Sequence, residues 1–554
     1  MKAVNKFAGR LALAIAAALL PASLAHGQNS APPQANSAVA SPPPASAPDA
    51  KSGKTRISPE QARQLFNSVD EILKFASADT GLPIKHQVKR RLINRDEVTK
   101  YVVAKFNDDE DARRMQRSEI VLKKFGLLDH DFQLRPFLTS LLTEQIAGYY
   151  DNKTKTVNLL DWIDGPSQEP VLAHELTHAL QDQHVDLEKW GDKTLSSVAR
   201  NVTEDNQHLA TDEADSARDA VLEGQAMAVF IDRSLQPTGR TLLTAPDLVE
   251  GMKDSMGDSS GSPVMERAPL LLQQSLLFPY RDGLTFEQAV LTESGKNGAF
   301  AGVLDRPPST SFEILNPAAY QREQKVPLLT MPDVHTLLHQ DYDPYDVGVI
   351  GELDVRMLTE LFAGPEVSAA LTPEWDGGLY YAAQRKSAHT PQEKASTASL
   401  SLVYVSRWQT AAAASRFATI YSDELGRKYS RVSRDHQTEA RESSNSDSNA
   451  DTTEDAGPVR TATGNERIYK TNEGPVLVVV NGREVFISES FDLTTARKLQ
   501  VLLLGAQEDE SMSTASLTHV PLSLSRRNYP NTPLTGSMVH WIAGCGLMKA
   551  ALPH

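Results

Sequence analysis

The chain has 554 residues, 40% of them apolar, a formal net charge of -15 and a single cysteine, Cys545. That length and apolar share can bury a large core and suit two folded units joined by tethers. An acidic balance spread along the chain excludes the basic footprint of a nucleic-acid binder, and one cysteine excludes an internal disulfide.

At the N-terminus, Lys2, Lys6 and Arg10 precede an apolar run from Leu11 to Leu20, followed by the small-x-small sites Ser23-Leu24-Ala25 and Ala25-His26-Gly27. This is the layout of a secretory signal over residues 1–27, and it predicts a periplasmic or secreted protein. Ten apolar residues are too few to cross a bilayer, so no membrane span is expected after cleavage. Residues 28–57, rich in Pro, Ala and Ser, are expected to be a disordered linker. Ser58-Pro59-Glu60 then opens a helix, and the spacing of Phe66, Val69, Ile72 and Leu73, and of Val121, Leu122 and Phe125, keeps the pattern helical to about 145. Gly148-Tyr149-Tyr150-Asp151 and Thr156 to Leu160 flank a polar turn and predict a short hairpin.

His174-Glu175-Leu176-Thr177-His178 follows, in a run made apolar by Val171, Leu172, Ala173, Ala179 and Leu180. At about 100° per residue, His174 and His178 stack one turn apart on one face and can reach the same ion. Glu175 lies too far round to be a comfortable third ligand but can touch a water on the metal, as a general base does. A catalytic zinc site commonly takes three protein ligands, so a third is sought. Glu223 is the preferred candidate: it sits in the otherwise apolar run Ala220 to Ile231, where an unpaired carboxylate is costly and a cation would compensate it. Pairing with Arg218 is the plain alternative explanation for Glu223. His184 is the alternative third ligand, because it completes H-E-x-x-H-x-x-Q-x-x-H. That is the metzincin spacing with Gln181 in place of the Gly at which the helix breaks; if the helix runs on, His184 points away.

Further along, residues 234–265 are expected to be a loop or lid, with helices at Pro269–Leu277 and Thr285–Leu291. An amphipathic helix over 345–362, a turn at Trp375–Gly378 and a linker at 386–398 come next. Residues 399–505 predict a small α+β unit: a strand at Ser399–Ser406, a helix at Thr410–Leu425, a disordered insert at 434–465, three strands and a final helix at Leu493–Leu504. Asn481-Gly482 marks the hairpin between the last two strands. Residues 506–554 carry no interpretable pattern.

The segment His174 to His184 (HELTHALQDQH), with the later Leu222-Glu223-Gly224-Gln225-Ala226, resembles the gluzincins, zinc peptidases that carry HExxH on one helix and a Glu ligand on a second. It is similar in particular to a group of exported bacterial metallopeptidases with a Gly-Tyr-Tyr-Asp segment before that motif and a Pro-Pro-x-Ser-Thr-like stretch after it, here Gly148–Asp151 and Pro307–Thr310. The resemblance spans about residues 90 to 385. It implies an α+β, predominantly helical zincin-like catalytic domain over 58–385, Zn2+ as cofactor and a protein or peptide substrate. Many gluzincins orient a zinc-bound His with an Asp one turn after the Glu ligand; that position is Met227 here, and Asp219, one turn before, could substitute. By the same analogy the hairpin edge could receive an extended peptide, unless it is an ordinary structural hairpin. Asp182 is expected to face solvent or to cap.

The expected reaction is attack of an activated water on a peptide bond, with Glu175 taking the proton and passing it to the leaving amine. Tyr149, Tyr150, His208, Tyr280 and Arg281 are candidate donors to the oxyanion, and the sequence does not choose among them. Two rivals remain: a zinc amidase acting on cell-wall or other non-peptide amides, and a binding protein of the same fold without turnover.

Overall fold

In a computed structural model of the chain, the described residues are 57–106, 109–145, 148–163, 165–190, 198–256, 262–436 and 466–513. The expected signal segment, almost all of the linker after it, the bulk of the 434–465 insert and residues 514–554 lie outside them. The chain is mixed α+β. Its first part holds Pro59–Thr80 (α1), Lys89–Ile93 (β1), Arg95–Phe106 (α2), Asp109–Phe125 (α3), Leu134–Gln145 (α4), Tyr149–Asp151 (β2), Thr156–Leu160 (β3), Gly165–Val185 (α5), Val202–Leu209 (α6), Ala214–Leu235 (α7), Pro246–Met256 (α8) and Leu270–Asn297 (α9). Its second part holds Tyr342–Val349 (β4), Glu352–Ala363 (α10), Trp375–Arg385 (β5), Leu400–Trp408 (β6), Ala411–Asp423 (α11), Val432–Arg434 (β7), Glu466–Thr471 (β8), Gly474–Asn481 (β9), Glu484–Glu489 (β10) and Leu493–Ser513 (α12). Only helices of two turns or more carry labels.

Local chemistry sets both ends of the first helix. α1 starts at a capping box, in which the Ser58 hydroxyl accepts the Gln61 N–H and the Gln61 side chain accepts the Ser58 N–H. It ends at Gly81, whose φ of 76° suits a residue without Cβ. The expected hairpin is present as β2–β3, with Tyr149 opposite Asn158, and β1 joins β3 in parallel to give the order β1-β3-β2.

α7 packs on α9, on α5 and on α1, and α5 packs on α1 as well. α7 and α9 touch backbone to backbone: a Cβ on Gly224 would lie 2.3 Å from the Gly283 carbonyl oxygen, and one on Gly283 would lie 2.2 Å from that of Ala220. Only glycines permit that approach.

The second sheet has seven strands in the order β4-β5-β6-β10-β9-β8-β7, every neighbouring pair antiparallel. Its central strands are buried on both faces. Val476, Val478 and Val480 join the core shared with the helices, while Leu477 and Val479 join a second core with Leu499 and Leu503 of α12. The period of two explains why these strands read as continuous apolar runs.

Several expectations for this region are corrected. The amphipathic helix expected over 345–362 is strand β4 followed by α10, because Val347 and Val349 alternate with period two before Gly351 opens the helix. The turn expected at Trp375–Gly378 is the bulged start of β5, with Gly377 at φ 121°. The stretch 234–265 contains helix α8, and the two helices expected between 269 and 291 are the single α9, with Pro279 inside it. The linker expected at 386–398 is a connection within one sheet, since β5 and β6 on either side pair from Trp375–Trp408 to Gln384–Leu400. Strands β4 and β5, expected to belong to the first unit, therefore sit in the same sheet as the second. Among the described residues no helix is long and apolar enough to cross a membrane.

Candidate metal centre

α5 runs unbroken from Gly165 to Val185 and buries Val171, Leu172, Ala173, Leu176, Ala179 and Leu180. The same burial carries His174, Glu175 and His178 into the core, each 0% exposed. Glu223, also 0% exposed, enters from α7. His174 Nε2 and His178 Nε2 are 3.0 Å apart, and Glu223 Oε2 lies 3.0 Å from the first and 3.6 Å from the second. Donors held at about 2.0–2.1 Å in a tetrahedron are spaced by roughly 3.3 Å, so these three atoms have the separation one zinc-sized ion requires. Among the described residues this is the one such group of His, Cys, Asp or Glu donors, and it could hold a metal ion.

Burial sets the electrostatics. It pushes His174 well below the usual imidazole range, helped by His178 and opposed by the Ala226 backbone. It lowers His178 too, against Glu175 and the hydrogen bond to Gln181. It pushes Glu223 well above the usual carboxylate range, opposed by the polar Tyr280 hydroxyl. Two neutral imidazoles and a carboxyl starved of countercharge are the donors a bound cation would compensate.

Glu175 lies beside this triplet. Its Oε2 accepts the Tyr150 N–H at 2.7 Å, and among the described residues its Oε1 has no hydrogen-bond partner. Burial pushes its carboxyl up to about 8, with His178 and the Tyr150 N–H pulling down and Glu223 pushing up. A carboxylate with one oxygen fixed and the other uncommitted can accept a proton there.

Of the five expected oxyanion donors, one reaches the centre. Tyr280 on α9 is fully buried, its ring stacked on His174 at 6.4 Å between centroids, and its hydroxyl is near enough to Glu223 to pull that carboxyl down. The Gly224–Gly283 contact brings it there. Tyr149 instead stacks on Tyr101 at 4.6 Å, and the Tyr150 hydroxyl donates to Asp182 at 2.7 Å. His208 pairs with Asp212 at 3.2 Å, and Arg281 with Gln274 and Asp282, each at 3.2 Å.

The helix does not break at Gln181. His184 therefore lies off the ligand face, with its Nε2 3.0 Å from Asp305 Oδ1. Asp219 is buried one turn before Glu223, its carboxyl pushed well up by burial, by Asp215 and by Glu223.

Sequence reasoning missed three features. Gln181, noticed only as a departure from Gly, accepts from His178 Nδ1 at 2.8 Å. The Tyr150 main chain, rather than its side chain, fixes Glu175. Asp182, expected at the surface or as a cap, is 5% exposed and ties the hairpin to α5: it accepts from the Tyr150 hydroxyl and from Lys155 Nζ at 2.7 Å, besides capping the Leu187 N–H at 3.1 Å. The residue types at 181 and 182 were legible; their partners Gln225, Tyr150 and Lys155 come from segments distant in the chain. No protein-family model, curated protein or solved structure matches the chain, so what the centre can do follows from its own geometry.

Proposed function

We propose that this chain is a zinc-dependent peptidase with a zincin-like catalytic core, in which His174, His178 and Glu223 hold the metal and Glu175 is the general base. One observation carries the proposal: three donor atoms converge from two helices beside a carboxylate whose Oε1 is uncommitted. Zinc, when bound, supplies Lewis acidity that activates water and polarises a carbonyl. Two imidazoles and a carboxylate without thiolate suit that ion.

The chain's own groups do the rest. Glu175 takes the proton of the attacking water on Oε1 and delivers it to the leaving amine, while the Tyr150 N–H keeps Oε2 in place. Tyr280, stacked on His174, would donate to the developing oxyanion. The β2 edge is a poor place for an added substrate strand, because the Tyr150 N–H, which points away from β3, is already committed to Glu175.

The deciding experiment measures metal content of the purified protein together with hydrolysis of an unfolded protein and of peptidoglycan. Stoichiometric zinc with cleavage of the protein supports the proposal. Action on peptidoglycan alone would make the enzyme an amidase, and zinc with neither activity would make it a binding protein of this architecture.

A further inference from the structure

The metal centre is backed by two carboxamides whose orientation is fixed from one end to the other. Gln225, 0% exposed on α7, donates through Nε2 to the carbonyl oxygens of Ala299 at 2.9 Å and Phe300 at 3.1 Å. These carbonyls belong to the π-helical turn Gly298–Gly302 that follows the kink at Gly295. Carbonyl oxygens only accept, so the amide nitrogen of Gln225 must face them and its Oε1 must face the other way. That oxygen accepts from Gln181 Nε2 at 2.9 Å, and the same nitrogen donates to the Leu222 carbonyl at 3.0 Å. Gln181 Oε1 is thereby left as an acceptor, 2.8 Å from His178 Nδ1. An acceptor at that distance requires a proton on Nδ1, and a neutral imidazole then carries a lone pair on Nε2.

We infer that Gln181 and Gln225 form a relay from the π-turn to His178 that locks this imidazole in its Nδ1–H tautomer, so that Nε2 faces the metal in ligand form before any metal arrives. Both are positioning residues, acting through His178. The relay also accounts for a glutamine where a metzincin has glycine: this position has to reach sideways to α7 rather than break the helix. The inference rests on the metal-centre reading but not on peptidase activity.

The test has two parts. In metal-free protein labelled with 15N at histidine, the ring nitrogens of His178 are assigned by long-range proton–nitrogen correlation. The expected result is a protonated Nδ1 and an unprotonated Nε2; a protonated Nε2 overturns the proposal, and this measurement needs no variant. Zinc affinity is then measured by competition with a chromophoric chelator for wild type, Gln181→Leu and Gln225→Leu, with circular dichroism as the check on folding. Gln181→Leu should bind zinc roughly 10- to 100-fold more weakly, the range usual for losing the partner of a metal-bound His. Gln225→Leu, which leaves Gln181 oriented by the Leu222 carbonyl alone, should show a smaller loss and a minor share of the second His178 tautomer. A folded Gln181→Leu with wild-type zinc affinity would sink the idea. Wild-type protein that takes up no zinc yet shows the Nδ1–H tautomer would remove the proposed function and keep the relay.

Discussion

At the scale of single residues, the proposed mechanism gives metal binding and proton transfer to different groups. Glu175→Gln keeps the shape and the Tyr150 contact but cannot take a proton, so it should retain stoichiometric zinc and lose turnover by about 10²- to 10⁴-fold. His174→Ala and His178→Ala should lose zinc and turnover together. Normal hydrolysis by Glu175→Gln would end the proposed mechanism. The third ligand is tested in the same assay. Glu223→Ala should bind zinc far more weakly, whereas His184→Ala, which removes only a contact to Asp305, should keep one zinc per chain. Full zinc in Glu223→Ala with loss in His184→Ala would reverse the assignment.

Glu213 yields a prediction about pH. It is 2% exposed at the start of α7, bonded by the Ser311 hydroxyl and N–H, and burial pushes its carboxyl up to about 7. A carboxyl whose folded pKa lies above its unfolded value binds its proton more firmly in the native state. Its contribution to stability is therefore full below about pH 4.5 and falls away as pH rises toward 7. Glu213→Gln, which stays neutral, should flatten the decline of melting temperature between those pH values. An unchanged slope would show that the group does not titrate with folding.

At the scale of elements, the centre depends on how closely two helices approach. α7 brings Glu223 and α9 brings Tyr280, and the Gly224–Gly283 contact sets their separation. Gly224→Ala places a Cβ against backbone, which cannot swing aside as a side chain can, so the helices must part. Overpacking of this kind costs about 1–3 kcal/mol, and more where backbone is the obstacle. The variant should melt earlier and bind zinc more weakly. Gly239→Ala, with nothing within 4 Å of its Cβ but φ of 70°, should lose stability through strain alone and keep its zinc affinity. Equal zinc affinity in Gly224→Ala and wild type would separate the helix contact from the centre.

At the scale of the whole molecule, the helical part and the seven-stranded sheet are joined by more than their shared core. β4 and β5 pair into the sheet with β6, and a buried charge network crosses from α3 to the far strands. Lys124 of α3 bonds Glu473 at 2.8 Å and the Ser490 hydroxyl at 2.7 Å. Beside it Lys428 pairs with Glu489, which also accepts from the hydroxyls of Tyr421 and Tyr429. Removing one partner of such a pair strands a buried charge and costs about 3–5 kcal/mol, so Lys428→Met should lower the melting temperature markedly. A chain ending at residue 385 would lose β6 and the partners of Lys124. It should fail to fold cooperatively, as thermal unfolding followed by circular dichroism would report. A sharp transition in that fragment would restore the boundary expected at 386–398.

The sequence by itself determined what depends on short-range periodicity. Four-residue spacing placed His174 and His178 on one face, the apolar run around Glu223 marked a carboxylate in need of a cation, and Asn481-Gly482 marked the hairpin between β9 and β10. Only the tertiary structure decided what depends on partners far away in the chain. It put Glu223 rather than His184 beside the two histidines, brought Tyr280 alone of five candidates to the centre, and gave Gln181 and Asp182 their partners. It also made strands of residues 342–349 and 375–385, whose backbones are held by neighbours in the sheet. The physical reason is common to all of these: helix spacing is fixed by local backbone geometry, whereas a hydrogen bond between segments far apart in the chain exists only after the core has brought them together.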